Sequence, residues 1–532
     1  VRFQRSAALV AVGVLVWAVG PLMLLLALAA LAHPRVRHWL RPTRRVVAIW
    51  AATVVALVGI VVLVPDGYLP VPPGIGAMTA PRYTGRPAIP RPIELDVPQH
   101  PRLAANGSSS MHNDGWSSDA YAGPGPLGES PEVDTAWYGV KECATLAFDT
   151  HQRLVAMCGS WSGPVLQVID PESMRPQDTL DLPPRRDNGN GKRRWEDLCG
   201  GSYFFLDDQD RAVAATTERT IVVVTTADGD GEPDLTVQAT YDLTKQVPED
   251  DCLVALMPDW EGRIWYATED GRVGFVDNGT GKVTVLDLGE EISNSLAVGR
   301  DGGVYAVTVD ALYRLGADRA RRPAVRWRAP YDRGTKTKPG QLSRGSGTTP
   351  TILPGGLVAI TDNAEPRMRV QLYDTDDGDL VCQRAVFADG ASATDNSLVS
   401  VGDGVIVENN HGYRNPLSTL LGFTPQGGFA RVDVADGECE LAWTSEAVAP
   451  TSVAKVSLET GLVYAYTKRS SLLGVNAWYF TALDARTGRT VWSVRTGIGS
   501  MFNNHYSAVT LAPDGSAYVA TLAGLVRVRD RR

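Results

Sequence analysis

A chain of 532 residues that is 44% hydrophobic and 21% charged is composed to fold, so long disorder is excluded, while its 53 glycines and 34 prolines call for many turns. The formal net charge is −9, and because residues 1–64 carry seven arginines with no lysine and no acidic residue, the remainder is more acidic than the whole. A nucleic-acid partner is disfavoured, since phosphate binding needs a basic face.

The first segment, Ser6 to Ala32, is apolar without one charge, and at ~1.5 Å rise per residue it is long enough to cross a ~30 Å hydrocarbon core. Val46 to Val64 reaches the minimum length for the same task. Between them, residues 33–45 hold five arginines against two in the N-terminal stub, which by the positive-inside rule puts this loop in the cytoplasm and both termini outside. The reading is a two-helix transmembrane anchor over residues 1–64 (spans 6–32 and 46–64), with a cell-membrane location and a large extracytoplasmic domain. A signal peptide followed by a hydrophobic core helix is the competing reading; the first run is longer than a typical h-region and shows no cleavage site before the arginines.

Residues 65–132 are rich first in proline and then in glycine and serine, with no sustained hydrophobic period. They are expected to form a linker, a semi-rigid stalk leading into a loose strap.

From residue 133 a unit recurs: a short apolar strand, a turn and a second apolar strand, as in "CATLAFDTHQRLVAMCG" and "SLAVGRDGGVYAVTV". Eight such hairpins begin near residues 143, 200, 253, 295, 349, 397, 453 and 507, about 40–57 residues apart, a spacing typical of propeller blades. Third and fourth strands follow most of them, but "GLVRVRD" at the end has no outer partner. "VDTAWYGV", at 133–140, is its expected complement and would close an eight-bladed β-propeller over residues 133–532, removing open edges. A seven-bladed ring or two smaller sandwiches are the alternatives.

Six cysteines, at 143, 158, 199, 252, 382 and 439, form no CxxC pair and have no histidine at zinc-finger spacing. An oxidising compartment favours disulfides over six buried thiols. The register of the first hairpin, with Phe148 facing Arg153, sets Cys143 opposite Cys158; Cys199 with Cys252 and Cys382 with Cys439 occupy equivalent positions in consecutive blades and can pair across a blade interface.

"ALDARTGRTVW", Ala482 to Trp492, resembles the tryptophan-docking repeat of pyrroloquinoline-quinone (PQQ) dehydrogenases and their cofactor-free propeller relatives. "RVDVADGECELAW" is a looser copy, with Trp443 two residues late. The resemblance implies a quinoprotein-type propeller in which tryptophans pack between blades. Those dehydrogenases hold a vicinal cysteine pair beside the quinone, and this chain has no adjacent cysteines, so PQQ binding is not expected and a cofactor-free member is.

In a propeller, the connections leading into the inner strands and the loops after the second strands share one face around the central channel, which is where ligands bind. Those positions supply Glu142, Asn294, Asp395 and Asn396 as an oxygen set suited to Ca2+, with Asn363, Glu408, Asn409, Asn410, Asn503, Asn504 and Tyr506 as further ligand-binding groups and Glu196 and Asp197 at the second blade. His411 and His505 are the candidate general bases. Asp and Asn also begin turns in any β-rich protein, and an unpartnered histidine is more often scaffold than catalyst. No GxSxG, phosphate loop or HExxH occurs. The leading function is therefore a membrane-anchored propeller that binds a protein or cell-envelope ligand through its polar acidic face. A calcium-dependent hydrolase of lactonase or esterase type comes second and a quinoprotein oxidoreductase third.

Overall fold

The computed structural model describes residues 2–40, 44–139, 141–159, 163–185, 199 and 203–531. Glu196 and Asp197 lie outside these residues.

Eight four-stranded antiparallel blades form the ring, and the sheet of blade 7 is widened to six strands by Tyr83–Gly85 outside and by Ala120–Tyr121, paired parallel, inside. The inner strands of blades 1 to 8 are Glu142–Phe148, Phe204–Leu206, Leu253–Pro258, Ala297–Val298, Thr351–Leu353, Val399–Val401, Lys455–Ser457 and Val509–Leu511. Their residues are almost wholly buried, whereas outer strands such as Arg175–Asp181 alternate between exposed and half-buried, because an inner strand has neighbours on both faces and an outer one only on one. The core accordingly lies between blades; Tyr305 and Trp327 of blade 4, for example, meet Ile352 and Tyr373 of blade 5.

The ring closes as the sequence suggests. Pro131–Trp137 pairs antiparallel with Gly524–Asp530 and supplies the fourth strand of blade 8. All three disulfides join the expected partners, Cys143–Cys158, Cys199–Cys252 and Cys382–Cys439. The register behind the first of them differs: Phe148 faces Leu154, not Arg153, and a bulge between Cys143 and Thr145 absorbs one residue and brings Cys143 back opposite Cys158.

Tryptophans pack between blades, though not where the repeat is best matched. Trp443 of blade 6 lies against Gly488 in the next blade, its indole N–H donating to the Ala485 carbonyl at 3.1 Å, and Trp327 of blade 4 meets Gly378 and Thr375 of blade 5 in the same way. Trp492, in the best-matching repeat, packs instead against Gly128 of the segment before the ring.

That segment is not a loose strap. Backbone N–H groups of Phe148, Leu206, Val298, Ile352, Ser400 and Val456 donate to carbonyls of Ser108, Ser109, Gly115, Trp116, Ser118 and Asp119, so residues 108–119 fill one end of the central channel. Its flanks complete the circuit: the His100 ring lies 4.8 Å from that of Trp260 of blade 3, tilted by 54°, and the Leu127 N–H donates to Asp530 of blade 8 at 2.6 Å. Tyr83–Gly85, from the proline-rich part, adds a strand to the outer edge of blade 7.

The N-terminal residues form α1 (Arg2–Val19), α2 (Pro21–Ala32), α3 (Pro34–Leu40) and α4 (Arg44–Leu63). Gly20, at φ 109°, and Pro21 divide the first apolar run, so it is not one continuous span. Among the described residues no single helix is long and apolar enough to cross a membrane; α3 together with Arg44–Gly59 meets the criterion jointly, bent by 78°.

Candidate ligand-binding site

The mouth of the channel, opposite the plugged end, is built mainly by blades 6, 7 and 8. Gly404–Glu408 is the second strand of blade 6, and its last residue turns a carboxylate into the mouth. Glu408 Oε1 accepts from Asn410 Nδ2 at 2.6 Å and from Asn396 Nδ2 at 3.0 Å. Those amides also donate to the Pro450 and Ser452 carbonyls, which ties blade 6 to blade 7.

On the blade 8 side, Tyr413 reaches across from the long loop of blade 6. Its hydroxyl lies 2.9 Å from His505 Nδ1 and donates to Asn503 Oδ1 at 3.4 Å, and its ring meets Tyr506 edge-on at 5.8 Å. His505 and Tyr506 adopt φ values of 33° and 69°, two consecutive left-handed residues without glycine. Backbone strain of this kind gathers at functional sites, where the surroundings hold it in place.

Among the buried oxygens here without a hydrogen-bond partner are Glu408 Oε2, Asn396 Oδ1, Asn504 Oδ1 and, on the blade 5 side, Asn363 Oδ1. The Ser452 backbone amide faces the Glu408 carboxyl and, with Asn410 and Asn396, works against the rise that burial causes. Burial holds both Glu408 and Glu142 well above the usual carboxylate range, the latter against a 3.2 Å bond from Ser507 Oγ. His411 is pushed down by burial and by the nearby Lys338 and Arg414, so it is neutral, and its buried Nδ1 is unpartnered.

The expected residues separate accordingly. Glu408, Asn396, Asn504, Tyr506 and His505 gather at the mouth. Asn409, Asn410 and Asn503 spend their side chains on neighbouring carbonyls, amides and hydroxyls, and so act as staples. Asn294 donates to the Ser346 carbonyl at 3.1 Å, away from Glu142. Among the described residues, the one group of three His, Cys, Asp or Glu side chains with ligand atoms within 4.8 Å of one another is Cys199, Cys252 and Glu269, and its cysteines form a disulfide. Of the expected calcium ligands, Glu142 opens the inner strand of blade 1, Asn294 precedes that of blade 4, and Asp395 and Asn396 precede that of blade 6.

Sequence reasoning missed the floor of the channel. Asp119, in the plug, is ion-paired with Lys455 of blade 7, and His112 Nδ1 lies 3.2 Å from both Asp119 oxygens. His112 Nε2 is 3.2 Å from Ser397 Oγ and 3.3 Å from Thr349 Oγ1. Carboxylate, imidazole and hydroxyl stand in the order of a nucleophile relay. Here, however, the carboxylate is neutralised by Lys455, the imidazole is shared by two hydroxyls and every member is buried, so the group clamps the plug to blades 5, 6 and 7. Only the bare His112 and Asp119 in a Ser-rich stretch hinted at it.

The Glu408 carboxyl makes stability depend on pH. Its folded pKa lies above its unfolded one, so the native state holds the extra proton, and stability falls as pH rises from about 4.5 through the raised value. Glu408→Gln, which mimics the protonated form, is expected to gain about 1–3 kcal/mol at pH 8 and nothing at pH 4, measured by urea denaturation. Equal stability of the two proteins at pH 8 would show that the carboxylate is solvated.

No protein-family model matches the chain. It is similar to an uncharacterized protein of Archaeoglobus fulgidus, 28% identical over 317 residues, covering 52% of this chain and 60% of that protein; it thus spans less than two thirds of that relative. Among solved structures it is similar to the computationally designed Ika8 protein (TM-score 0.46, 13% identity, 74% of this chain and 98% of that one). It is also similar to BamB from Moraxella catarrhalis (TM-score 0.38, 16% identity, 59% and 93%) and to a streptogramin B lyase (TM-score 0.37, 10% identity, 73% and 93%).

Proposed function

We propose that the chain is a binding protein, held at a membrane by its N-terminal helices with the propeller on the extracytoplasmic side, whose protein or cell-envelope ligand offers hydrogen-bond donors to the channel mouth. The observation that carries this reading is the set of buried oxygens without partners: Asn396 Oδ1, Asn504 Oδ1 and Asn363 Oδ1 as acceptors, and Glu408 Oε2, which donates while the carboxyl is protonated and accepts once it ionises. Leaving such atoms unpaired costs ~1–3 kcal/mol each, which a ligand with ammonium, amide or hydroxyl groups recovers on binding. Anchoring is supported by the two apolar runs around an arginine-rich loop.

Calorimetry of the full chain in detergent against an amino sugar, a muramyl peptide and ethanolamine tests the site. At least one is expected to bind, and Glu408→Ala to weaken it at least tenfold; binding by none, or binding indifferent to Glu408, overturns the reading. Impermeant thiol labelling in intact cells tests the topology, with the exposed Ile89→Cys expected to react and Arg37→Cys to react only after permeabilisation.

A second reading, a calcium-dependent hydrolase, is favoured by the same four atoms, because oxygens are what a hard cation takes. The neutral His411, with Nδ1 unpartnered, would be its base. Stoichiometric calcium uptake that Asn396→Ala abolishes would put this reading first.

A further inference from the structure

The mouth face is chemically divided. Four segments meet on the side of blades 6 and 7, residues 71–82, 409–428, 468–476 and 496–508, and none contains an aspartate or glutamate, although the chain has 60. Across the mouth, the corresponding loops of blades 3 and 4 hold Glu249, Asp250, Asp251, Glu290 and Glu291. The acid-free segments are joined to one another: Gly422 N–H donates to Asn476 Oδ1 at 2.8 Å, Ser471 N–H to the Gly422 carbonyl at 3.0 Å, and Gly74 N–H to the Ile498 carbonyl at 2.6 Å.

This sector displays apolar side chains outward. Relative exposure is 107% for Leu472, 79% for Met78, 69% for Leu417, 67% for Phe423 and 61% for Leu421, the last held at φ 52°, where a leucine is strained. Arg82, Arg414 and Arg469, with the buried Lys468 that donates to the Phe423 carbonyl, are the charges among them. Exposed apolar residues with basic neighbours and no acidic ones match an interfacial membrane surface, where side chains enter the acyl boundary and cations meet anionic headgroups.

The sector also touches the apolar helices. Gly76 N–H donates to the Trp17 carbonyl at 2.7 Å and Met78 N–H to the Ala18 carbonyl at 3.0 Å, so the α1–α2 break sits on this corner, with Pro21 beside Gly474. α2, whose twelve residues are all uncharged, has no buried residue.

We infer that the blade 6–7 sector of the mouth face dips into an anionic lipid surface, the bilayer the N-terminal helices enter, so that the channel opens beside the membrane. This rests on the anchoring part of the proposed function. Ligand then arrives along or out of the bilayer, and the acidic half of the mouth faces the aqueous side.

The test uses the full chain, alone in nanodiscs of equal parts phosphatidylcholine and phosphatidylglycerol, with an environment-sensitive fluorophore on Leu472→Cys, Phe423→Cys, Val55→Cys in α4, or Asp376→Cys on a turn at the far end of blade 5. Quenching by spin-labelled lipid is expected to be several-fold stronger at 472, 423 and 55 than at 376. If 55 is quenched while 472 and 423 behave like 376, the sector stands off the bilayer and the inference fails with anchoring intact; that result would assign the apolar sector to a protein partner. If 55 is not quenched, anchoring fails and the inference with it.

Discussion

Lys455→Met is expected to lower the unfolding free energy by about 3–5 kcal/mol and to expose the plug to protease, because removing one member of a buried ion pair leaves the other charged and uncompensated. Lys455 is 1% exposed and Asp119 0%, and the ammonium donates to both Asp119 and the Met111 carbonyl. Burial pulls the lysine below its ordinary pKa while Asp119 opposes that pull. Without the ammonium, His112 still faces the Asp119 carboxyl, with no lysine to balance its charge. The double variant Asp119→Asn/Lys455→Met removes both charges and should regain much of the loss. Chemical denaturation measures the energies and limited proteolysis reports cleavage within residues 100–125; a loss below about 1 kcal/mol for the single variant would mean that the pair is hydrated.

Gly488→Ala is expected to destabilise by about 2–5 kcal/mol, the sum of a left-handed backbone cost and overpacking. Gly488 has φ 68°, and a Cβ there would lie 2.4 Å from the ring of Trp443, which is itself fixed by its bond to Ala485 in the same turn. Gly437→Ala is the control: its φ is 80°, but nothing lies within 4 Å, so only the backbone cost of about 1–2 kcal/mol remains. Thermal unfolding of the two variants separates the terms. Equal losses would show that Trp443 moves aside freely and that docking contributes little to holding blades 6 and 7 together.

The blades were legible because each inner hairpin is an apolar run cut by a tight turn, and ring closure followed from a last blade one strand short. The disulfide partners were legible for the same reason, since equivalent strand positions in adjacent blades are neighbours. The bulge at Ala144 was not, because inserting one residue into a strand leaves the hydrophobic pattern of "CATLAF" intact. Nor was the plug. Its backbone pairs with one blade at a time, so no period of 2 or 3.6 develops, and its serines and glycines resemble those of a solvated linker. At the mouth, Glu408, Asn396 and Asn504 could be placed by topology alone. Tyr413 could not, since it comes from an insertion whose path the repeat does not predict, and Lys455 meets Asp119 across 336 residues of sequence.

Because residues 100–127 touch every blade yet precede all eight in the chain, a nascent polypeptide made in this order has its hub before its spokes. Six of the blades, all but 3 and 8, can lay an inner strand against a carbonyl already in place, which shortens the search for the correct neighbour and covers polar backbone that an incomplete ring would leave open. Closing the ring then matters most: Gly524–Asp530 must find Pro131–Trp137, which until that moment presents an unpaired edge. Aggregation during biogenesis should therefore be sensitive to that seam more than to any other contact in the ring.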